Sequence, residues 1–562
     1  MAAKSLVLIV LLFVSFSSRS KAATVKSGVE SACELAPDRS FCEWSLKQDP
    51  RSSGAGPNDM SQIAIKRSIA EALKLRSLIL SESRRSSMDA KQNQAVQDCS
   101  FLYGLTLDHL TDGLSQLTGA GSSNLQRNKA VDIQSYLSAA LTNQVTCLDG
   151  LEEANVNLRS FSFTDHISNS SRSVSNCLAL VRKFWIGSAN SQQTSVHNRR
   201  LLSNGRQAHR VNDGFLSQYG SVDNGFPSWL SRAKRRLLLQ TAGGVNLTGN
   251  VVTVAQNGSG NYSTITDAIN AAQNKSSNIT VIYVRAGVYQ EYVSVPSNKY
   301  NIMLVGDGKD VTVITGNRSV GNGSTTFNSA TLATVGKGFI AMDLTIENTA
   351  GAVNHQAVAL RVGADLSVFY RCSFKGYQDT LYTYSLRQFY RECDVYGTVD
   401  FIFGNAAVVL QECTLLARRP MGGQQNLFTA QGRTDPNQNT GTSIHNCNVT
   451  AAADLVPVIT SFPTYLGRPW KEYSRTVYMQ SYLDSLIQPA GWLPWSGTFA
   501  LSTLYYGEYQ NQGPGANTSA RVTWSGYHIM SNSDAQNFTV ATFISGDAWL
   551  PATPVPYTAG LL

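Results

Sequence analysis

Two octets carry acids at a matched interval: CSFKGYQD runs from Cys372 to Asp379, and CDVYGTVD from Cys393 to Asp400. Cysteine, an apolar residue, glycine and aspartate recur in one order, each displaced by 21 residues. In a parallel β-helix such a displacement is one coil, and stacked coils set equivalent residues side by side. Phe374 should then stack on Val395 and Gly376 on Gly397, with Asp379 and Asp400 on neighbouring rungs whose backbones lie roughly 4.8 Å apart. Two carboxylates that close are not both comfortably ionised, so one takes up a proton at a raised pKa. The chemistry is that of a general acid beside a nucleophile. Spacing alone does not define a site, because CNVTAAAD, Cys447 to Asp454, repeats the cysteine-to-aspartate interval. Repeat proteins also stack polar residues for purely structural reasons.

The neighbours of the pair strengthen the catalytic reading. Gln378 precedes the first aspartate, and Gln356 lies close to one coil earlier, in HQAVALR. Their amides could donate to a developing oxyanion. Downstream, YLGRPW supplies Arg468, always cationic and able to hold one aspartate ionised and oriented, and Trp470, which could stack on a sugar ring. Each residue type alone is ordinarily structural; their occurrence together carries the argument. The same two carboxylates, about 5 Å apart, also suit a retaining glycosidase, and an inert β-helix that only binds remains a non-enzymatic reading. A serine esterase is disfavoured because no GxSxG elbow is present.

These residues need a scaffold of many short strands. From residue 244 to 562, runs such as ITVIYVRA, NIMLVGDG, VTVIT and AAVVLQEC are separated by Gly, Asn and Asp and predict an all-β fold; short strands could make a sandwich, but the 21-residue recurrence argues for a solenoid. Residues 24–186 place Ile, Leu, Ala and Val at three- and four-residue intervals, as in SQIAIKRSIAEALKLRSLIL, and predict an all-α antiparallel bundle. There Cys33 and Cys42 could staple a hairpin and Cys99 and Cys147 could join two long helices, leaving Cys177 over. Residues 187–243 lose the apolar period and read as a basic flexible linker, with eight Lys or Arg against two acids. It holds RRLL twice, so Arg200 and Arg236 mark candidate processing sites, although a solvated uncleaved linker has the same composition. Residues 1–23 read as a signal peptide, with a retained signal anchor as the other reading. The net charge of +8 is concentrated in the linker, so it gives no reason to expect a nucleic-acid partner. Asn169, Asn246, Asn317, Asn448 and Asn537 head Asn-x-Ser/Thr sequons, and nine cysteines without a CxxC pair or HExxH helix favour disulfides over metal ligands. No cofactor or metal is expected.

GVYQE, HQAVAL, GYQDTLY, GTVDFIFG and LGRPW, continued by YYGEYQNQGPGA and WLPATPVPY, closely resemble the plant pectin methylesterases, in the pre-pro form with an inhibitor-like domain ahead of the enzyme. The resemblance implies a right-handed parallel β-helix over 244–562 and a four-helix inhibitor-like pro-domain over 24–186. It further implies hydrolysis of the C6 methyl esters of pectin to methanol and pectate in the cell wall or apoplast. Carried over by motif, Asp400 is the nucleophile, Asp379 the general acid/base, Gln356 and Gln378 the oxyanion hole, and Arg468 the group orienting Asp400. Tyr382, Phe403, Arg468, Trp470 and Trp492, with Gln356, would bind substrate. The cysteine pattern of a close pair followed by a distant pair matches Cys33–Cys42 and Cys99–Cys147. The family also suggests Cys413–Cys447, against which stacked free thiols compete. Inhibitor proteins of the same family and a subtilisin-like processing protease are implied as partners, and the catalytic half is expected to be monomeric. A pectin-acting glycoside hydrolase and a non-enzymatic inhibitor or wall-binding protein are the alternatives.

Overall fold

The computed structural model of the chain describes residues 28–82, 88–119, 125–156, 164–186 and 251–562. The expected leader 1–23, the linker 187–243 with both RRLL segments, and Asn246 lie outside the described residues.

The N-terminal half is all-helical: α1 (Gly28–Ala32), α2 (Arg39–Lys47), α3 (Pro57–Glu82), α4 (Ala90–Gly119), α5 (Arg127–Glu153) and α6 (Thr164–Val181). The apolar period read from the sequence becomes the core stripe, with Leu102, Leu105, Leu110 and Leu117 buried along α4. On α5, Ile133, Leu137, Ala140 and Leu151 do the same. Short connections make successive long helices antiparallel, and α3 packs on α4 and α6 while α5 packs on α4 and α6, closing a four-helix bundle. Disulfides Cys33–Cys42 and Cys99–Cys147 are both formed, and Cys177 is a buried free thiol 3.4 Å from Ser68 Oγ. Among the described residues no helix is long and apolar enough to cross a membrane.

The C-terminal half is a parallel β-helix built of sheets with 11, 7 and 8 strands. Phe374 pairs with Val395 in register, as the displaced octets predict, and Val395 in turn with Leu415. Such inward residues fill the core, where the Phe369 and Tyr390 rings of adjacent coils stack at 4.7 Å. The corners explain why each coil repeats so regularly. Asp343, Arg371, Glu392, Glu412, Asn446, Gln480 and Gln510 all have φ between 49° and 53° or just above, at 55° for Glu412. Each follows a strand of the 11-stranded sheet, so a single left-handed residue turns the chain into the next sheet.

Just past four of these corners, Cys372, Cys393, Cys413 and Cys447 form an inward ladder of buried free thiols. The expected Cys413–Cys447 bridge is therefore absent. Register explains this: stacked equivalents point their Cβ atoms the same way rather than towards each other. The thiols satisfy themselves on carbonyls instead, Cys393 Sγ donating to Phe369 O at 3.4 Å and Cys447 Sγ to Leu410 O at 3.3 Å.

The helical half lies on the outer face of the seven-stranded sheet, whose order is Thr464–Gly467, Asn426–Gln431, Ile402–Gly404, Leu381–Tyr382, Leu360–Val362, Leu332–Thr334 and Val293–Val295. Helical core residues share one apolar cluster with Phe327, Val358, Tyr382, Tyr384, Phe403 and Ala430. Polar contacts add specificity: Tyr384 Oη donates to Asn143 Oδ1 at 2.7 Å, Asn405 Nδ2 to Thr142 Oγ1 at 2.9 Å and Gln134 Nε2 to Asn437 O at 2.7 Å.

Candidate active site

Asp379 and Asp400 occupy a second set of left-handed corners, at φ 62° and 51°, each turning the chain into a strand of the seven-stranded sheet. The following strands pair Leu381 with Ile402, so the two aspartates are equivalents one rung apart. They are held there by the backbone, Asp379 N donating to Val399 O at 3.1 Å and Thr398 N to Tyr377 O at 2.9 Å. The octet glycine belongs to this geometry. A Cβ at Gly397 would lie 2.2 Å from Phe401 Cβ and 2.8 Å from Tyr377 O, so only glycine lets the corner close.

Both carboxylates are buried, Asp379 at 7% and Asp400 at 6% exposure, yet they differ electrostatically. Arg468, placed by the corner after strand Thr464–Gly467, grips Asp400 with both ends of its guanidinium: Nε to Oδ1 at 2.9 Å and Nη2 to Oδ2 at 2.7 Å. Burial raises the Asp400 pKa and this cation opposes the rise. Burial pushes Asp379 up much further, and the charge of Asp400 pushes it again. The two carboxylates are therefore unlike: a proton shared by the pair is favoured on Asp379, and Asp400 is the member that ionises first.

Gln356, Gln378, Asp379, Tyr382, Asp400, Phe403, Arg468 and Trp470 line one cleft of about 540 Å³. Its floor is aromatic: the Tyr382 and Phe403 rings stack at 4.1 Å and Trp470 meets Phe403 edge-on at 6.0 Å. Arg361, Tyr382, Phe403 and Ala430 follow one outward row by strand register.

One expected residue is elsewhere. Trp492 is 1% exposed, stacks on Tyr506 at 4.1 Å and donates from Nε1 to Glu508 Oε1 at 3.3 Å, so it belongs to the core and is no substrate contact. Trp495, three residues on, lines the cleft instead with its ring 4.4 Å from the Arg468 guanidinium. Trp492 and Trp495 stand three residues apart, and the sequence alone does not say which of them faces out. Lys471 also lines the cleft and escaped the sequence reading, as did the helical residues Thr146, Asp149, Gly150, Glu152 and Glu153 of α5 that roof it. Among the described residues no group of three or more His, Cys, Asp or Glu is placed to hold a metal ion.

A parallel β-helix whose open sheet carries a buried carboxylate pair, with an arginine on one member and amides alongside, has the architecture of a carboxylate-dependent hydrolase. Residues 251–547 match the pectinesterase family, and residues 27–180 match the plant invertase/pectin methylesterase inhibitor family. The chain belongs to the pectinesterase family, and carries an inhibitor-family domain ahead of the enzyme. It is 47% identical over 542 residues to probable pectinesterase/pectinesterase inhibitor 20 of Arabidopsis thaliana, covering 94% of this chain and 93% of the relative. Pectinesterase 2 of Citrus sinensis is likewise 47% identical, over 95% of both chains. Among solved structures, pectin methylesterase from carrot is 60% identical with a TM-score of 0.55, covering 56% of this chain and 98% of its own.

Proposed function

We propose that the cleft hydrolyses C6 methyl esters of galacturonate units in pectin by a two-step displacement. Ionised Asp400, oriented by Arg468, attacks the ester carbonyl carbon. The oxyanion that forms is held by the Gln356 and Gln378 side-chain amides. As the tetrahedral intermediate collapses, the C–O bond to the methoxy group breaks and Asp379 protonates the departing oxygen, giving methanol and an acyl-enzyme on Asp400. Asp379, now a carboxylate, takes a proton from water as that water attacks the acyl carbon. Asp400 leaves, and the product is the free acid. Tyr382, Phe403 and Trp470 supply the apolar floor for the sugar rings. The observation that carries this reading is the asymmetric pair: a cation grips Asp400 at both oxygens, while burial and the Asp400 charge dominate at Asp379, which Arg468 influences only from a distance.

The domain limits belong to the same proposal: 1–23 a signal peptide, 24–186 a pro-domain, 187–243 a linker cut at Arg200 or Arg236 by a subtilisin-like protease, and 244–562 the monomeric enzyme. The protein would be secreted to the cell wall, and Asn169, Asn317, Asn448 and Asn537 are exposed and open to glycosylation. Because α5 roofs the cleft, the uncut chain would be closed to polymer, and separate inhibitor-family proteins would dock on the same face once it leaves. The test is methanol release from methylated pectin by residues 244–562, by the intact chain and by Asp400→Asn. Methanol without new reducing ends, abolished in Asp400→Asn, is expected. Chain shortening would favour a glycoside hydrolase, and an active Asp400→Asn would remove the nucleophile assignment.

A further inference from the structure

Phe41 and Trp44 share one side of α2, outside the stripe of Cys42, Ser45 and Leu46 that the helix buries. With Arg67 and Glu71 of α3 and Asn169 and Ser173 of α6 they wall a groove of about 290 Å³, formed by the helical half alone. Both rings are held in place: the Arg172 guanidinium lies 4.0 Å from the Phe41 ring, and that of Arg67 lies 5.2 Å from the Trp44 ring. Arg67 is fixed in turn by donating from Nη1 to Ser45 O at 3.2 Å, and Arg172 by pairing with Asp38, the N-cap of α2. Trp44 is nevertheless 52% exposed. A lone exposed ring is ordinary, but two fixed rings in a groove edged by charge suit an occupant with an apolar face and a polar rim.

The wall of the groove itself names the occupant. Asn169 is exposed and heads the sequon Asn169-Ser170-Ser171. A pyranose presents C–H groups to the negative face of an aromatic ring, and its hydroxyl and acetamide groups match Arg67 and Glu71 at the rim. We propose that Asn169 carries an N-linked glycan whose first N-acetylglucosamine lies in this groove against Trp44. The bond joins Asn169 Nδ2 to the anomeric carbon of the sugar, delivered by a lipid-linked diphosphate donor; the diphosphate leaves and the amide gives up a proton. The inference rests on the secretory route proposed above and on nothing in the catalytic cleft. The sugar does for Trp44 what a packing partner would, so this glycan is part of the helical half's fold and not merely a coat on it.

The test uses the full chain secreted by yeast, trimmed with endoglycosidase H to leave the first sugar at each site, against Ser171→Ala. Ser171 Oγ is buried without a hydrogen-bond partner, so this change deletes the sequon without taking a bond from the fold. Ser170, which accepts from Gln144 Nε2 at 2.9 Å, stays in place. The tryptic peptide 160–172 contains this sequon alone and should carry the sugar. Radical footprinting read by mass spectrometry should find Trp44 oxidised about twofold more in Ser171→Ala, because a sugar on one face of a half-exposed ring removes about half of what solvent reaches. Thermal unfolding of the helical half, followed by circular dichroism, should come about 2–4 °C earlier in Ser171→Ala. That shift should vanish in a Trp44→Ala background, which keeps the sugar and loses its seat. Equal oxidation of Trp44 with and without the sugar, or the same shift in the Trp44→Ala background, overturns the seat. So does a bare Asn169 while any other sequon is modified. If no sequon is modified, the secretory reading fails and takes the seat with it.

Discussion

Replacing Arg468 with Gln should move the pH dependence of the reaction in a direction the geometry dictates. The guanidinium makes two charge-assisted hydrogen bonds to Asp400, at 2.9 and 2.7 Å, and is the favourable influence set against burial there. An adjacent arginine typically lowers an aspartate pKa by about 1–3 units. The Arg468 side chain is 24% exposed, so its two charge-assisted hydrogen bonds are partly screened and together are worth roughly 1.5–3 kcal/mol. On the proposed mechanism Asp400 must be ionised to attack, so the acid limb of the kcat/KM profile should move to higher pH. Arg468 also lowers the Asp379 pKa, though less directly, so Asp379 should keep its proton to higher pH and the alkaline limb should follow by a smaller step. The two limbs report the pair, not either residue alone. The assay is methanol release by residues 244–562 across the pH range, with folding monitored by circular dichroism. A uniform drop in rate with both limbs in place would mean that Arg468 does not set the charge of Asp400, and the division of labour between the aspartates would need another cause.

Asp379→Asn should make the β-helix more stable at neutral pH even as it removes activity. The folded-state pKa of Asp379 lies well above its ordinary 3.8, so folding takes up a proton. That contribution is full below 3.8 and is lost as pH rises through the folded value. A thermal melt at pH 7 should therefore favour the Asn variant, with the gain vanishing below about pH 3.8, and a pH-independent difference would contradict the burial argument. Thiol titration should find five reactive cysteines in denaturant and almost none in the native protein, matching Cys177, Cys372, Cys393, Cys413 and Cys447. Three in denaturant would restore a bridge within the ladder. Gly397→Ala should cost about 1–3 kcal/mol in chemical denaturation through overpacking against Phe401. A neutral result would show that the corner can open.

Much of this was legible because a solenoid writes its register into the sequence. Hydrogen bonding fixes adjacent coils rung against rung, so the 21-residue displacement from Asp379 to Asp400 survives intact as Leu381 opposite Ile402. The helical stripe of α4 and the bridges Cys33–Cys42 and Cys99–Cys147 were readable for a similar reason, since local period and pairing leave a trace along the chain. Side-chain direction at irregular turns leaves none. Trp492 and Trp495 are three residues apart with no strand between them to fix parity, and only the packing of Trp492 on Tyr506 decides which one turns inward. The roof over the cleft was equally illegible, because Asp149 and Lys471 meet across more than three hundred residues.

The third octet shows why spacing and site are different things. Cys447 stands in the thiol ladder and Asn448 pairs with Thr414, so CNVTAAAD begins in register with its relatives. After Ala451 the chain leaves the coil pattern for a 3-10 helix at Val456–Ser461, and returns to the seven-stranded sheet only at Thr464. Asp454 consequently misses the left-handed corner that aims Asp379 and Asp400, and pairs with Arg418 at 3.2 Å on the surface. What brings an aspartate of this repeat into the cleft is therefore the one-residue corner into the seven-stranded sheet, closed over a glycine. An octet with the same cysteine and the same acid but a longer return, such as this one, yields a solvated ion pair.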